Sequence, residues 1–173
     1  MIDWAAAHWA WALLALIGLQ RLGELALAQR NTARLMAEGA QEHGAGHYPL
    51  FVLLHGGWLL AMALLTDPAP TFSWPLALAF VLLFAARFWV IASLGRYWTT
   101  RIITLPGQPL VRRGPYRLIR HPNYLVVALE VPLVPLLLGL PGVALAFGLL
   151  NLALLAWRIR AEDHALAPRR AAA

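Results

Sequence analysis

The apolar positions of this chain fall in long blocks, with the polar residues gathered between them. Blocks of that length predict membrane-spanning helices, because about 20 apolar residues are needed to cross a bilayer core. The first block runs from Trp4 to Ala28; it is apolar to Leu19, then carries Gln20, Arg21 and Glu24 before Leu-Ala-Leu-Ala resumes. Gln29 to His47 is polar, contains Gly39, Gly44 and Gly46, and is followed by Pro49, which predicts a loop. Tyr48 to Thr66 predicts a second span with His55 inside it, and Asp67-Pro68-Ala69-Pro70 a tight turn. A third span is expected from about Phe72 to Gly95, with Arg87 in its second half and Tyr97-Trp98 at the level of an interfacial belt. Pro122 to Trp157 is almost uncharged and too long for one straight crossing of a ~30 Å core. Gly139, Pro141 and Gly142 break it into two helices joined by a tight turn; one helix kinked at Pro132 and Pro135 is the alternative. The pattern predicts an all-α integral membrane protein, residues 1–173 forming one domain of about five transmembrane helices, the last two a helical hairpin.

Composition agrees. The chain is 61% hydrophobic and 13% charged, too apolar for a soluble domain of its size. It has no cysteine, which excludes disulfides, thiolate metal sites and cysteine nucleophiles. The N-terminal apolar block has no basic leader and no small-residue cleavage site, so it is expected to be a retained span.

The net charge of +6 is due to arginine, since the sequence has no lysine. In a membrane protein such a surplus sets topology, and nucleic acid is not needed to explain it. With five spans and the N-terminus outside, Gln29–His47, Arg96–His121 and Arg158–Ala173 all lie in the cytoplasm and hold every loop arginine. A four-span arrangement would separate the arginine-rich tail from the arginine-rich central loop. A polar pocket roofing the bundle at its cytoplasmic face, where loop and tail meet, is therefore expected.

Several side chains could carry chemistry. Leu110 to Tyr124 packs Arg112, Arg113, Arg117 and Arg120 among Gly114-Pro115, Tyr116 and His121-Pro122. Such a loop suits a polyanionic or mixed polar–aromatic ligand; a basic loop that only sets topology is the alternative. Arg21 and Glu24 share a helix face, either as a buried pair or with Arg21 reaching the interface. Glu42, His43 and His47 could suggest a metal, but Gly44 and Gly46 interrupt the helix that would align the histidines, so interfacial histidines are expected and no metal. Glu130 is an intramembrane carboxylate, either a base for a hydroxyl acceptor or, as expected first, the partner of Arg87 or Arg21.

Gly114-Pro115-Tyr116, Arg120-His121-Pro122-Asn123-Tyr124, and Arg158 followed by Glu162-Asp163 and Leu166 resemble the isoprenylcysteine carboxyl methyltransferase family. Arg-Leu-Gly-Glu at 21–24 and Gly-His-Tyr-Pro at 46–49 resemble a bacterial branch associated with O-methylation of alkylpyrones. The resemblance implies an S-adenosylmethionine pocket between the central loop and the last helix, in the bacterial inner membrane. It implies cofactor contacts from Arg101, Gln108, Pro109, Leu110, Val111, Tyr116, His121, Pro122, Asn123, Tyr124 and Glu162. It also implies that Arg158 faces a lipophilic or prenylated methyl acceptor delivered through membrane lipid. Leu125 stands where the family often has glycine, a departure on the acceptor side. No GxGxxG fingerprint is present. A sterol-type membrane reductase using NADPH shares an RHPxY-like motif and is the runner-up; a non-enzymatic lipid-binding protein is the third reading.

Overall fold

The computed structural model describes residues 4–67 and 70–171. Five α-helices make up nearly all of it: α1 (Trp4–Ala37), α2 (Tyr48–Leu65), α3 (Trp74–Leu94), α4 (Pro122–Leu137) and α5 (Pro141–Ala171). Helices α1, α2, α3 and α5 are long and apolar enough to cross a membrane. The turn expected at Asp67-Pro68-Ala69-Pro70 falls partly on residues 68–69, outside the described residues.

The expected hairpin is present, but its first arm is short. At 16 residues, α4 spans about 24 Å, less than a ~30 Å hydrocarbon core. It begins at the His121-Pro122 break and ends before Gly139, whose φ of 75° suits glycine. Pro132 and Pro135 lie inside α4 without ending it. Pro135 has no N–H to give the carbonyl of Val131, and the Trp58 indole of α2 donates to that carbonyl instead, at 2.9 Å. Trp58 is fully buried in the main core with Met62, Val131, Val134 and Leu138.

The polar stretch after the first span is not a loop at its start. Residues 29–37 continue α1, so its polarity marks departure from the membrane rather than the end of the helix. Ala10, Ile17, Glu24, Ala28, Asn31 and Leu35 are its buried positions, a stripe repeating every three, four or seven residues. The helix stops at Gly39 (φ 89°), where the Ala40 N–H closes back on the Leu35 carbonyl at 3.0 Å and Ala40 packs with Leu35 and Leu105. A short ribbon follows: β1 (Gln41–His43) pairs antiparallel with β2 (Ile102–Thr104), Glu42 opposite Ile103. It ties the segment after α1 to the start of the central loop. Asn31 reinforces this end by donating from Nδ2 to the carbonyls of Trp98 (2.8 Å) and Gly95 (3.1 Å).

Four charges hold α1, α3 and α4 together inside the bundle. Arg87 of α3 donates from Nη2 to Glu24 of α1 at 2.5 Å, with a second contact from Nε, and from Nη1 to Glu130 of α4 at 3.2 Å. Arg21 sits 2.8 Å from Glu130 and 3.3 Å from Glu24. The expected Arg21–Glu24 pair is thus half of a neutral quartet, and Glu130 has both of the partners named for it.

Removing Arg87 leaves two buried carboxylates with one arginine. Arg87→Gln should cost about 3–5 kcal/mol, whereas Arg87→Gln with Glu24→Gln, which keeps the Arg21–Glu130 pair, should cost clearly less than the sum of the single changes. Thermal unfolding in detergent reads both; strict additivity would mean the four side chains are not one unit.

Candidate active site

One end of the bundle holds a cavity of about 590 Å³, within the range of small-molecule and cofactor sites. Three segments build it: the chain leaving α3, the central loop up to α4, and the polar end of α5. Its position depends on Gly114. That residue has φ 55° and lies so close to α3 that a Cβ would sit 2.1 Å from the Ser93 hydroxyl. The single helical turn Gly114–Arg117 is thereby seated on α3, and Arg113 Nε donates to the Ser93 carbonyl at 2.6 Å.

From α5, Arg158, Glu162, Leu166 and Arg169 line the cavity, at the i, i+4, i+8, i+11 spacing of one helix face. From the start of α4 come Asn123 and Tyr124, from the loop Leu110, Val111, Tyr116 and His121, and from the approach to β2 Arg101. The Tyr124 hydroxyl accepts from Arg158 Nε at 2.9 Å and donates to the Glu162 carboxylate. His121 stacks on Tyr124, ring centroids 5.3 Å apart, and its Nε2 meets Asp163 at 2.9 Å. Arg170 reaches the same Asp163 at 2.7 Å, and Arg169 donates to the carbonyls of Gln108 (2.9 Å) and Pro109 (3.0 Å). Tail and central loop are therefore clamped together.

Arg158 is buried. Its Nη2 donates to the Thr100 carbonyl at 2.8 Å, and its guanidinium lies over the rings of Phe51 (5.2 Å) and Tyr124 (5.8 Å). With Nε also committed, Nη1 is left without a partner among the described residues. Burial, and secondarily the Glu162 carboxylate, pushes the Tyr116 hydroxyl well above the usual tyrosine range, so it stays a neutral donor at physiological pH.

Most of the positions singled out from sequence meet in this cavity. Gln108 and Pro109 flank it, offering backbone carbonyls that Arg169 occupies, and Pro122 is buried in the first turn of α4 outside the lining. Glu130 does not reach the cavity: two arginines hold it inside the bundle. Arg101 pairs with Glu42 at 3.0 Å and stacks over Tyr48 at 5.0 Å. The reading from sequence missed the tail arginines as lining residues, although Arg169 shares the helical face of Arg158 and Glu162. It also missed the Thr100 carbonyl, which no side-chain pattern reveals.

A polytopic α-helical membrane protein with a polar, arginine-rich cavity at one end of the bundle is the class these features define. The profile of the isoprenylcysteine carboxyl methyltransferase family matches residues 76–168, from the first turn of α3 through the central loop and α4 to Pro168 of α5. The chain is 42% identical over 161 residues to the uncharacterized protein YpbQ of Bacillus subtilis, covering 90% of this chain and 95% of that one. It is 30% identical over 158 residues to an uncharacterized protein of Haemophilus influenzae, covering 84% and 88%. No solved structure matches. This chain belongs to the isoprenylcysteine carboxyl methyltransferase family.

Gly114→Ala tests the seat of the loop. The left-handed backbone alone costs a side chain about 1–2 kcal/mol, and the Cβ collides with Ser93 as well. Thermal stability should fall and protease cutting between residues 105 and 121 should rise; adding Ser93→Ala should recover only the steric part. Full recovery by Ser93→Ala would show that the backbone conformation contributes nothing.

Proposed function

We propose that this chain is an S-adenosylmethionine-dependent O-methyltransferase acting on a carboxyl or acidic hydroxyl group of a lipophilic acceptor. The observation that carries the reading is the chain Arg158–Tyr124–Glu162, which joins a guanidinium at the lipophilic side of the cavity to a carboxylate on its polar side.

The donor set fits the cofactor. Asn123 lines the cavity with a buried Oδ1 that has no partner, an acceptor for an amino or adenine N–H. Glu162 can take a further amino or ribose donor, and the faces of Tyr124 and His121 suit a sulfonium and a planar base. When bound, S-adenosylmethionine supplies an electrophilic methyl group and leaves as S-adenosylhomocysteine. The protein's part is positioning and exclusion of water. Arg158 holds the acceptor oxygen through its open Nη1, and Tyr124 fixes the guanidinium plane while Glu162 fixes Tyr124. Glu130 serves as the structural partner of Arg87 and Arg21. A prenylated or other lipid-borne acceptor reaches Arg158 sideways from membrane lipid, past the half-exposed Trp157.

One feature favours the nicotinamide alternative. Seven arginines line the cavity (Arg101, Arg112, Arg117, Arg120, Arg158, Arg169 and Arg170), more than one carboxylate needs and attractive to phosphates. Isothermal titration decides. S-adenosylhomocysteine should bind, His121→Ala or Glu162→Ala should weaken it by about 1–3 kcal/mol, and NADPH should not compete. NADPH binding without S-adenosylhomocysteine binding would replace the proposal with the reductase.

The one-sided arginine distribution orients the chain in the inner membrane with the N-terminus outside and the cavity in the cytoplasm. Reporters at residue 40 and at the C-terminus should read cytoplasmic, and one near Pro68 should read outside. A tail on the other side from residue 40 would rule out this orientation.

A further inference from the structure

Arg158 has a second neighbourhood, on the α2 side. His47 is buried, with 4% of its surface exposed, at the foot of α2. Its ring lies 5.6 Å from that of Trp157 and 6.2 Å from that of Phe51, the ring that Arg158 covers at 5.2 Å. Gly44, at φ 60°, closes over the imidazole so tightly that a Cβ would fall 2.4 Å from His47 Cε1. The imidazole is thus held in place by packing, yet among the described residues neither ring nitrogen has a hydrogen-bond partner. Its nitrogens are not among the fully sealed polar atoms, so a partner entering from outside the protein can reach them. Arg158 is the charged side chain acting on it; of the titratable groups on β1, His43 is engaged by Thr104 at 2.8 Å and Glu42 by Arg101. The aromatic walls of Phe51 and Trp157, and the half-exposure of Trp157 on the outside of the bundle, make this the side from which a lipophilic molecule arrives.

Resting on the methyltransferase reading, we propose that His47 is the proton acceptor for a hydroxyl-bearing acceptor held by Arg158. In that step the acceptor oxygen forms its bond to the sulfonium methyl as the S–CH3 bond breaks, the electron pair staying on sulfur. The hydroxyl proton passes to an imidazole nitrogen of His47. The products are the methyl ether, S-adenosylhomocysteine and an imidazolium that returns its proton to solvent. A carboxylate acceptor arrives already ionised and needs no such base, so His47 is what extends the site from acids to hydroxyls.

The test uses the full-length protein in detergent, saturated with S-adenosylhomocysteine, and a long-chain alkyl nitrophenol whose phenolate is coloured. The bound phenol should ionise at a pH about one unit or more below its value on His47→Gln, a tenfold difference in proton affinity. Methyl transfer from S-adenosylmethionine to the same phenol should fall at least about 100-fold at neutral pH in the variant. The gap should close about tenfold per unit of rising pH, as the phenol ionises unaided. His47→Asn should behave alike, and S-adenosylhomocysteine affinity within about twofold of wild type certifies the fold of either variant. Equal phenol ionisation in wild type and variant overturns the proposal, as does an equal loss of transfer to the alkyl benzoic acid of the same chain length. Failure of the wild-type protein to bind the nitrophenol overturns it too, while leaving the methyltransferase reading standing. Failure to bind S-adenosylhomocysteine removes both.

Discussion

An arginine inside a membrane bundle has to be neutralised where it stands, and Arg87 is the side chain on which the geometry of this protein turns. Arg87 is 5% exposed, and its guanidinium is met by a carboxylate from α1 and another from α4. The two carboxylates bring Arg21 with them, giving a quartet of zero net charge, which is what an apolar interior requires. Apolar packing between helices tolerates sliding and rotation; a quartet of charges in hydrocarbon does not. It sets α1, α3 and α4 at one rotation and one depth. Tyr124 lies six residues before Glu130, so it is carried about 9 Å along α4 to the boundary where the polar cavity begins.

The same logic governs the hairpin. Prolines inside α4 would leave carbonyls bare in a medium with no water to bond them, and the Trp58 indole shows how one such carbonyl is satisfied from a neighbouring helix. With α2 pinned to α4 in this way, Phe51 and His47, two and three turns nearer the polar end of α2, come to stand beside Arg158. The site is assembled by constraints that act well inside the bundle, which is why so few of its residues are neighbours in sequence.

Much of this was legible before any coordinates. The blocks of apolar residues, the break at Gly139 and Pro141, and the meeting of tail and central loop all follow from hydropathy and charge. So did the existence of partners for Glu130, because an intramembrane carboxylate and two arginines have few other options. The end of α1 was misread because leaving hydrocarbon and leaving a helix are different events. Gln29 to Ala37 turns polar on its outer face while Asn31 and Leu35 stay buried. The ribbon between Gln41–His43 and Ile102–Thr104 was out of reach for another reason. Three residues carry no readable alternation, and their pairing partner lies about sixty positions away along the chain. His47 was set aside as interfacial because its neighbours Trp157 and Arg158 come from the other end of the sequence.

The placement of Arg158 bears on why a protein of this size would work at a membrane boundary at all. One proposed reactant is a water-soluble, charged nucleoside; the other is lipophilic and stays in the bilayer. A soluble pocket would have to extract the second, and a site deep in the bundle would have to desolvate the first. Arg158 lies between these demands. Toward the cavity it is tied through Tyr124 to Glu162, among the arginines that line it; toward α2 it lies on Phe51, next to the half-exposed Trp157. On the proposed reading neither reactant leaves its own solvent until it reaches the guanidinium. Desolvation is then confined to the two reacting atoms, where exclusion of water strengthens the Arg158 contact to a developing or existing oxyanion. The same reading accounts for an arginine rather than a lysine at this position: two of its nitrogens hold it to Tyr124 and to the Thr100 carbonyl, and the third has no partner among the described residues, which leaves it for the proposed acceptor.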